Sequence, residues 1–60
     1  MHATEIQEHA RKLYEVRGTR ALAEAAQKVR QLEAHGDAEQ AADWRRIGLA
    51  LRHLAGPRSS

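Results

Sequence analysis

The sequence predicts an all-α fold in which three helices form a small antiparallel bundle. Along three segments, apolar residues recur three or four positions apart, which is the spacing of one helix face. Gly18-Thr19 and Gly36-Asp37 separate these segments, and a Gly followed by an N-cap residue is typical of a tight turn between helices. Sixty residues allow one domain, so we expect residues 1–60 to form a single helical unit.

The first predicted helix covers residues 5–17. Thr4 and Gln7 have the spacing of a capping box, which places the N-cap at Thr4. Gly18 suits the left-handed conformation that ends many helices. The predicted apolar face consists of Ile6, His9, Ala10, Leu13 and Val16.

The second predicted helix covers residues 20–35 and begins after Thr19, a good N-cap residue. Its stripe is rich in alanine, so a neighbouring helix can approach closely. The residues of this stripe are Leu22, Ala25, Ala26, Val29 and Leu32.

The third predicted helix covers residues 38–55, with Asp37 as N-cap and Gln40 at the third helical position. Gly56-Pro57 ends it, and residues 56–60 are predicted to be a frayed tail. Its predicted buried face consists of Ala41, Trp44, Ile47, Gly48, Leu51, Leu54 and Ala55.

Residues 14–19 (YEVRGT) and 32–37 (LEAHGD) share one pattern at an offset of eighteen residues. Both contain a bulky residue, Glu, a small or apolar residue, a base, Gly, and then Thr or Asp. We interpret the pattern as a helix end followed by a helix start, because cations and Gly favour helix C-termini. The repeat therefore predicts two junctions rather than a binding motif written twice. A duplicated unit is the alternative, since Ala23 aligns with Ala41 and Val29 with Ile47, but few other positions inside the helices match.

Several functional classes lack the residues that they need. There is no Cys, Ser occurs only at positions 59 and 60, and the four Gly are too dispersed for a phosphate loop. The four His form no metal-ligand spacing. We therefore expect a non-enzymatic protein with no catalytic residue, metal or cofactor.

Composition also bears on location. The net charge is only +2, and the absence of Cys fits the cytoplasm. No apolar run approaches the about 20 residues of a membrane span, and the N-terminus has no signal-peptide core. The expected protein is cytoplasmic.

Leu49 is the most informative exposed residue that the pattern predicts. At 100° per residue it lies about 140° from Trp44, away from the main apolar stripe. Basic residues flank it on both sides, which indicates a contact patch for another copy of the chain or for an acidic surface with an apolar pocket. A lone exposed leucine is the alternative. The predicted partner-binding residues are Trp44, Arg45, Arg46, Leu49, Arg52 and His53.

Trp44 has two interpretations of its own. It shares a stripe with Ile47 and Leu51, which indicates a core residue, but tryptophan is also enriched at interface hot spots. Both hold if a second subunit completes the core. Twelve of the hydrophobic residues are alanines, so the expected core is small. We therefore expect self-association or docking on a larger complex to supply the additional apolar burial that a stable fold needs.

Nucleic-acid binding is the alternative function. No acidic residue follows Asp43, which leaves the C-terminal part of the chain basic. The same arginines also complement the dipole of the third helix, and no aromatic, Asn or Gln side chains are interleaved with them for base contact. The arginines of this alternative site are Arg45, Arg46, Arg52 and Arg58.

Residues 23–51 resemble a tetratricopeptide helical hairpin at Leu32, Gly36-Asp37 and Ala41. The chain departs from that pattern, with Ala25 in place of an aromatic, Lys28 in place of leucine, and Gly48 in place of alanine. It has one hairpin, whereas a solenoid needs about three repeats, so the family's binding groove does not carry over.

The chain as a whole is similar to small uncharacterised bacterial helical proteins, through "LYE", "EAAQK", "GDAEQAADWRRI" and the Gly-Pro-Arg tail. That resemblance implies an all-α fold and no particular activity.

Overall fold

The computed structural model describes residues 2–56, which form three helices: α1 (Ala3–Arg17), α2 (Arg20–Ala34) and α3 (Ala38–Ala55). The predicted all-α three-helix bundle is confirmed. α3 packs extensively against α2 and against α1, whereas α1 and α2 contact each other little. The longest helix is therefore the centre of the bundle, and its two neighbours lie on different sides of it.

The core is small and rich in alanine. Ile47 and Leu51 of α3 are the largest side chains that are fully buried. Larger side chains close its edges while remaining partly exposed, among them Tyr14 and Trp44. The buried cluster consists of Ile6, Ala10, Ala21, Ala25, Ile47 and Leu51.

The predicted buried faces were wrong at three residues. Val16 is 79% exposed and Leu54 is 41% exposed, and Ala26 is also exposed, while Ala21 takes its place in the core. Periodicity identifies a face, but only the part of the face that meets a neighbouring helix is covered. Val16 and Leu54 both lie in the last turn of their helices, where that neighbour no longer covers them.

The predicted capping box at Thr4 was also wrong. α1 begins two residues earlier than predicted, at Ala3, and His2 is its N-cap, with extended backbone and no side-chain cap bond. Ala has the highest helix propensity of all residues, so extending the helix through Ala3 costs little. Thr4 lies inside the first turn and cannot act as the cap.

The two junctions use different chemistry despite their similar sequences. At the first, Gly18 has φ 63° and its N–H donates to the Tyr14 carbonyl. Thr19 holds the predicted N-cap position, but its side chain makes no cap bond because its backbone is already helical, at φ −67° and ψ −15°. An ion pair of 3.1 Å between Arg17 and Glu24 bridges the turn.

The second junction is the more fully bonded of the two. Gly36 has φ 76°, its N–H donates to the Glu33 carbonyl at 3.0 Å, and the Asp37 N–H donates to the Leu32 carbonyl at 2.8 Å. This pair of bonds is a Schellman motif. The Asp37 side chain then accepts from the Gln40 N–H at 3.2 Å, which confirms the predicted N-cap of α3.

The end of α3 agrees with the prediction as far as the structure describes it. Gly56 follows the helix with φ 90°, and its N–H donates to the His53 carbonyl. Pro57 and the remainder of the predicted tail lie outside the described residues.

Candidate functional site

A groove of about 540 Å³ lies between α2 and α3. No residue of α1 is among those described residues that line it, so the groove opens on the side of the helix pair away from the core contact with α1. Its apolar lining consists of Leu22, Ala25, Ala26, Val29, Gly48 and Leu49. Its charged lining consists of Arg30, Arg45 and Arg52.

The groove has a shallow floor because small residues face each other at its centre. A Cβ placed on Gly48 would lie 3.9 Å from the Cβ of Ala25, which is ordinary van der Waals contact. Small side chains let two helices approach closely. Larger side chains above and below this point, Leu22 and Val29 on α2, then form the walls.

Leu49 is the centre of the contact patch that the sequence predicts. Its side chain is 57% exposed on the α3 wall of the groove. Arg45 and Arg52, at positions i−4 and i+3, lie on the same wall. The structure therefore brings together three of the six residues of the predicted partner-binding set.

The other three residues lie elsewhere. Trp44 is half-buried, its ring meets the His9 ring edge-on at 5.3 Å between centroids, and Lys28 Nζ lies 5.9 Å from the Trp44 centroid. His53 lines a smaller cavity with Leu54 and residues of α1. Arg46 lies 3.5 Å from an oxygen of Asp43. None of the three lines the groove.

The arginines differ in their surroundings. Arg45 pairs with Glu33 across the second junction, and Arg46 pairs with Asp43 one turn away. Among residues 2–56, no carboxylate forms an ion pair with Arg30 or Arg52. The positive charge of the groove is therefore least compensated at Arg30 and Arg52. Arg58, the fourth arginine of the predicted nucleic-acid site, lies outside the described residues.

The α2 half of the groove was not predicted. Leu22, Ala26 and Val29 were assigned to a buried stripe, and Arg30 was assigned no role. Their spacing of i, i+4 and i+7 does indicate one continuous row along α2. α3 covers only part of the apolar surface that this row forms on α2. The rest of that surface stays exposed and lines the groove.

Within residues 2–56, no three His, Asp or Glu side chains lie close enough to hold a metal ion. None of the helices there combines the length and the apolar character that crossing a membrane requires. Comparison of the chain with protein-family models, with curated proteins and with solved structures finds no match. The resemblances drawn from the sequence therefore stay predictions, and the groove is the basis for a functional proposal.

Proposed function

We propose that this protein is a non-enzymatic interaction or accessory module of the cytoplasm, and that it docks on its partner through the groove between α2 and α3. The observation that carries the proposal is Leu49, a leucine 57% exposed on the wall of an open apolar groove. Apolar surface of this kind, rimmed by charge, is typical of a protein-protein contact. The partner is a second copy of the chain or a larger protein with an acidic and apolar surface.

The small core supports the same proposal. Among residues 2–56, only seven hydrophobic residues are buried, and four of them are alanines, so these residues gain little from burial. Covering the groove buries Leu22, Val29 and Leu49 further. A large apolar side chain contributes about 1.5–3 kcal/mol when it passes from full exposure to full burial, and these three gain part of that amount because each is already partly buried. A docked chain is therefore more stable than a free one.

The test measures the molar mass of the protein by light scattering after gel filtration, together with chemical crosslinking in cell extract. We expect a homo-oligomer or a crosslinked complex, which Leu49→Glu abolishes while the helical circular dichroism is retained. The matched control is Val16→Glu, because Val16 is 79% exposed on α1 and outside the groove. A monomer that melts cooperatively at micromolar concentration, with no crosslinked partner, contradicts the proposal.

The alternative proposal is a small nucleic-acid-binding regulator that uses the C-terminal arginines. Arg52 favours it, because no carboxylate among residues 2–56 pairs with that side chain. Arg45 and Arg46 favour it less, since each is partly neutralised by an ion pair. Phosphate contacts are strongest at low salt, so a chain that fails to shift duplex DNA or RNA at low salt eliminates this function.

A further inference from the structure

We infer that the occupant of the groove is an amphipathic α-helix of another protein that carries acidic residues seven positions apart. This inference rests on the proposed docking function and specifies its partner. Three properties of the groove lead to it: its length, its floor, and the placement of its charges.

The length of the groove matches two turns of a helix. Its lining on α3 runs from Arg45 to Arg52 and on α2 from Leu22 to Arg30. At 1.5 Å per residue these segments are about 10–12 Å long. A helix that lies in such a groove presents anchor side chains at i, i+3, i+4 and i+7, all on one face.

The floor of the groove admits a helix at close range. Ala25, Ala26 and Gly48 form its base, and none of them projects beyond a methyl group. The apolar walls around that base are formed by Leu22, Val29 and Leu49. One or two leucines of an incoming helix can therefore enter between the walls while the two backbones remain near the usual helix packing distance.

The charges are placed at the two ends of the groove. Ala25 faces Gly48, and the chain direction of α2 is opposite to that of α3, so Arg52 lies level with Leu22 while Arg30 and Arg45 lie at the other end. No carboxylate is among the described residues that line the groove. An incoming helix with acidic residues at i and i+7, and apolar residues at i+3 and i+4, complements this arrangement.

The chain itself lacks a helix of this kind, which argues against a second copy as the occupant. Glu8 and Glu15 are the only acidic residues in the sequence that are seven positions apart, and the positions between them at i+3 and i+4 hold Arg11 and Lys12. A symmetric pairing of two α3 helices would instead bring Arg45 and Arg52 against the same arginines of the other copy. Like charges that face each other across an interface oppose association.

The experiment titrates fluorescein-labelled peptides with the full chain and follows their fluorescence anisotropy. The acidic peptide is alanine-rich and about 15 residues long, so that it forms a helix, with Glu at i and i+7 and Leu at i+3 and i+4. A neutral peptide has Gln in place of both Glu. A third peptide keeps the composition but moves the leucines to the opposite face.

We expect the acidic peptide to bind about tenfold more tightly than the neutral one, and the third peptide to bind weakly, because charge and apolar face must act together. Arg30→Gln combined with Arg52→Gln should remove the difference between the acidic and neutral peptides, because these two arginines lie at opposite ends of the groove and neither pairs with a carboxylate among residues 2–56. Arg11→Gln is the matched control and should leave both affinities unchanged, since Arg11 lies on α1 outside the groove.

Equal affinity for the acidic and neutral peptides, or unchanged binding by the double arginine variant, overturns the inference. So does displacement of the acidic peptide by duplex DNA at physiological salt, which would assign the arginines to phosphate. The mass measurement with Leu49→Glu tests docking through the groove separately from the identity of the occupant as an acidic helix. If that variant loses an assembly that the natural chain forms while the acidic peptide fails to bind, docking through the groove stands and the acidic helix is rejected.

Discussion

Two glycine-to-alanine substitutions should change stability in opposite directions, and together they test the backbone of the α2–α3 hairpin. Gly48 lies inside α3 with ordinary helical geometry, whereas Gly36 ends α2 with φ 76°. The chemical change is the same at both sites, the addition of one methyl group. Any difference between them therefore reports on local backbone conformation and packing.

Gly48→Ala should raise the free energy of unfolding by about 1 kcal/mol, which is the difference in helix propensity between the two residues. No steric term opposes the gain, because the added Cβ lies 3.9 Å from Ala25 Cβ. Gly36→Ala should lower the free energy of unfolding by about 1–2 kcal/mol, since a left-handed conformation brings Cβ close to the following carbonyl. Apart from the chain neighbours of Gly36, no atom of residues 2–56 lies within 4 Å of the added Cβ, so the expected cost comes from the backbone conformation.

The assay is thermal unfolding followed by circular dichroism, at one protein concentration for all variants. A change of 1 kcal/mol shifts the Tm of a domain of this size by roughly 4–8 °C. The two variants should therefore bracket the natural chain. A lower Tm for Gly48→Ala would mean that α2 and α3 pack more closely than this structure shows, and an unchanged Tm for Gly36→Ala would mean that the junction is not left-handed.

Four further substitutions test the caps, the core and the exposed end of α1 by urea unfolding. Asp37→Ala should lower the free energy of unfolding by about 1 kcal/mol through loss of the α3 cap. Thr19→Ala should change it by less than about 0.5 kcal/mol because that side chain makes no cap bond. Equal effects would contradict the finding that only the second junction has a side-chain N-cap. Leu51→Ala should cost about 2–5 kcal/mol, since Leu51 is fully buried, and a small effect would place it outside the core. Val16→Ser should change the free energy of unfolding by less than about 0.5 kcal/mol because Val16 is 79% exposed. A large loss of stability would show that Val16 is buried against another helix.

Local signals were read correctly where the sequence alone determines the outcome. Asp37 caps α3 because the carboxylate and the Gln40 N–H are three residues apart, and no distant residue is needed. Gly36 and Gly18 both adopt positive φ, as expected of helix ends. Thr4 is the exception: its capping-box spacing did not set the start of α1, since Ala3 ahead of it can continue the helix at little cost.

The predicted site depended on contacts between helices, and there the sequence was less informative. Leu49 was identified because its angle on α3 separates it from the buried stripe. Arg46 and His53 lie beside it in sequence but not in the groove, because α2 covers only one flank of α3. The α2 side of the groove, Ala26 above all, could not be predicted without knowing how far α3 covers the apolar stripe of α2.

The central claim is that the protein meets its partner through the groove between α2 and α3, and site-specific photo-crosslinking tests it most directly. A photoreactive amino acid is introduced at Ala26, which is exposed in the groove, or at Val16, which is exposed on α1. Irradiation of the cells that naturally produce the protein should yield one dominant adduct from position 26 and none from position 16. An adduct from position 16 alone, or the same adducts from both positions, would contradict docking through the groove.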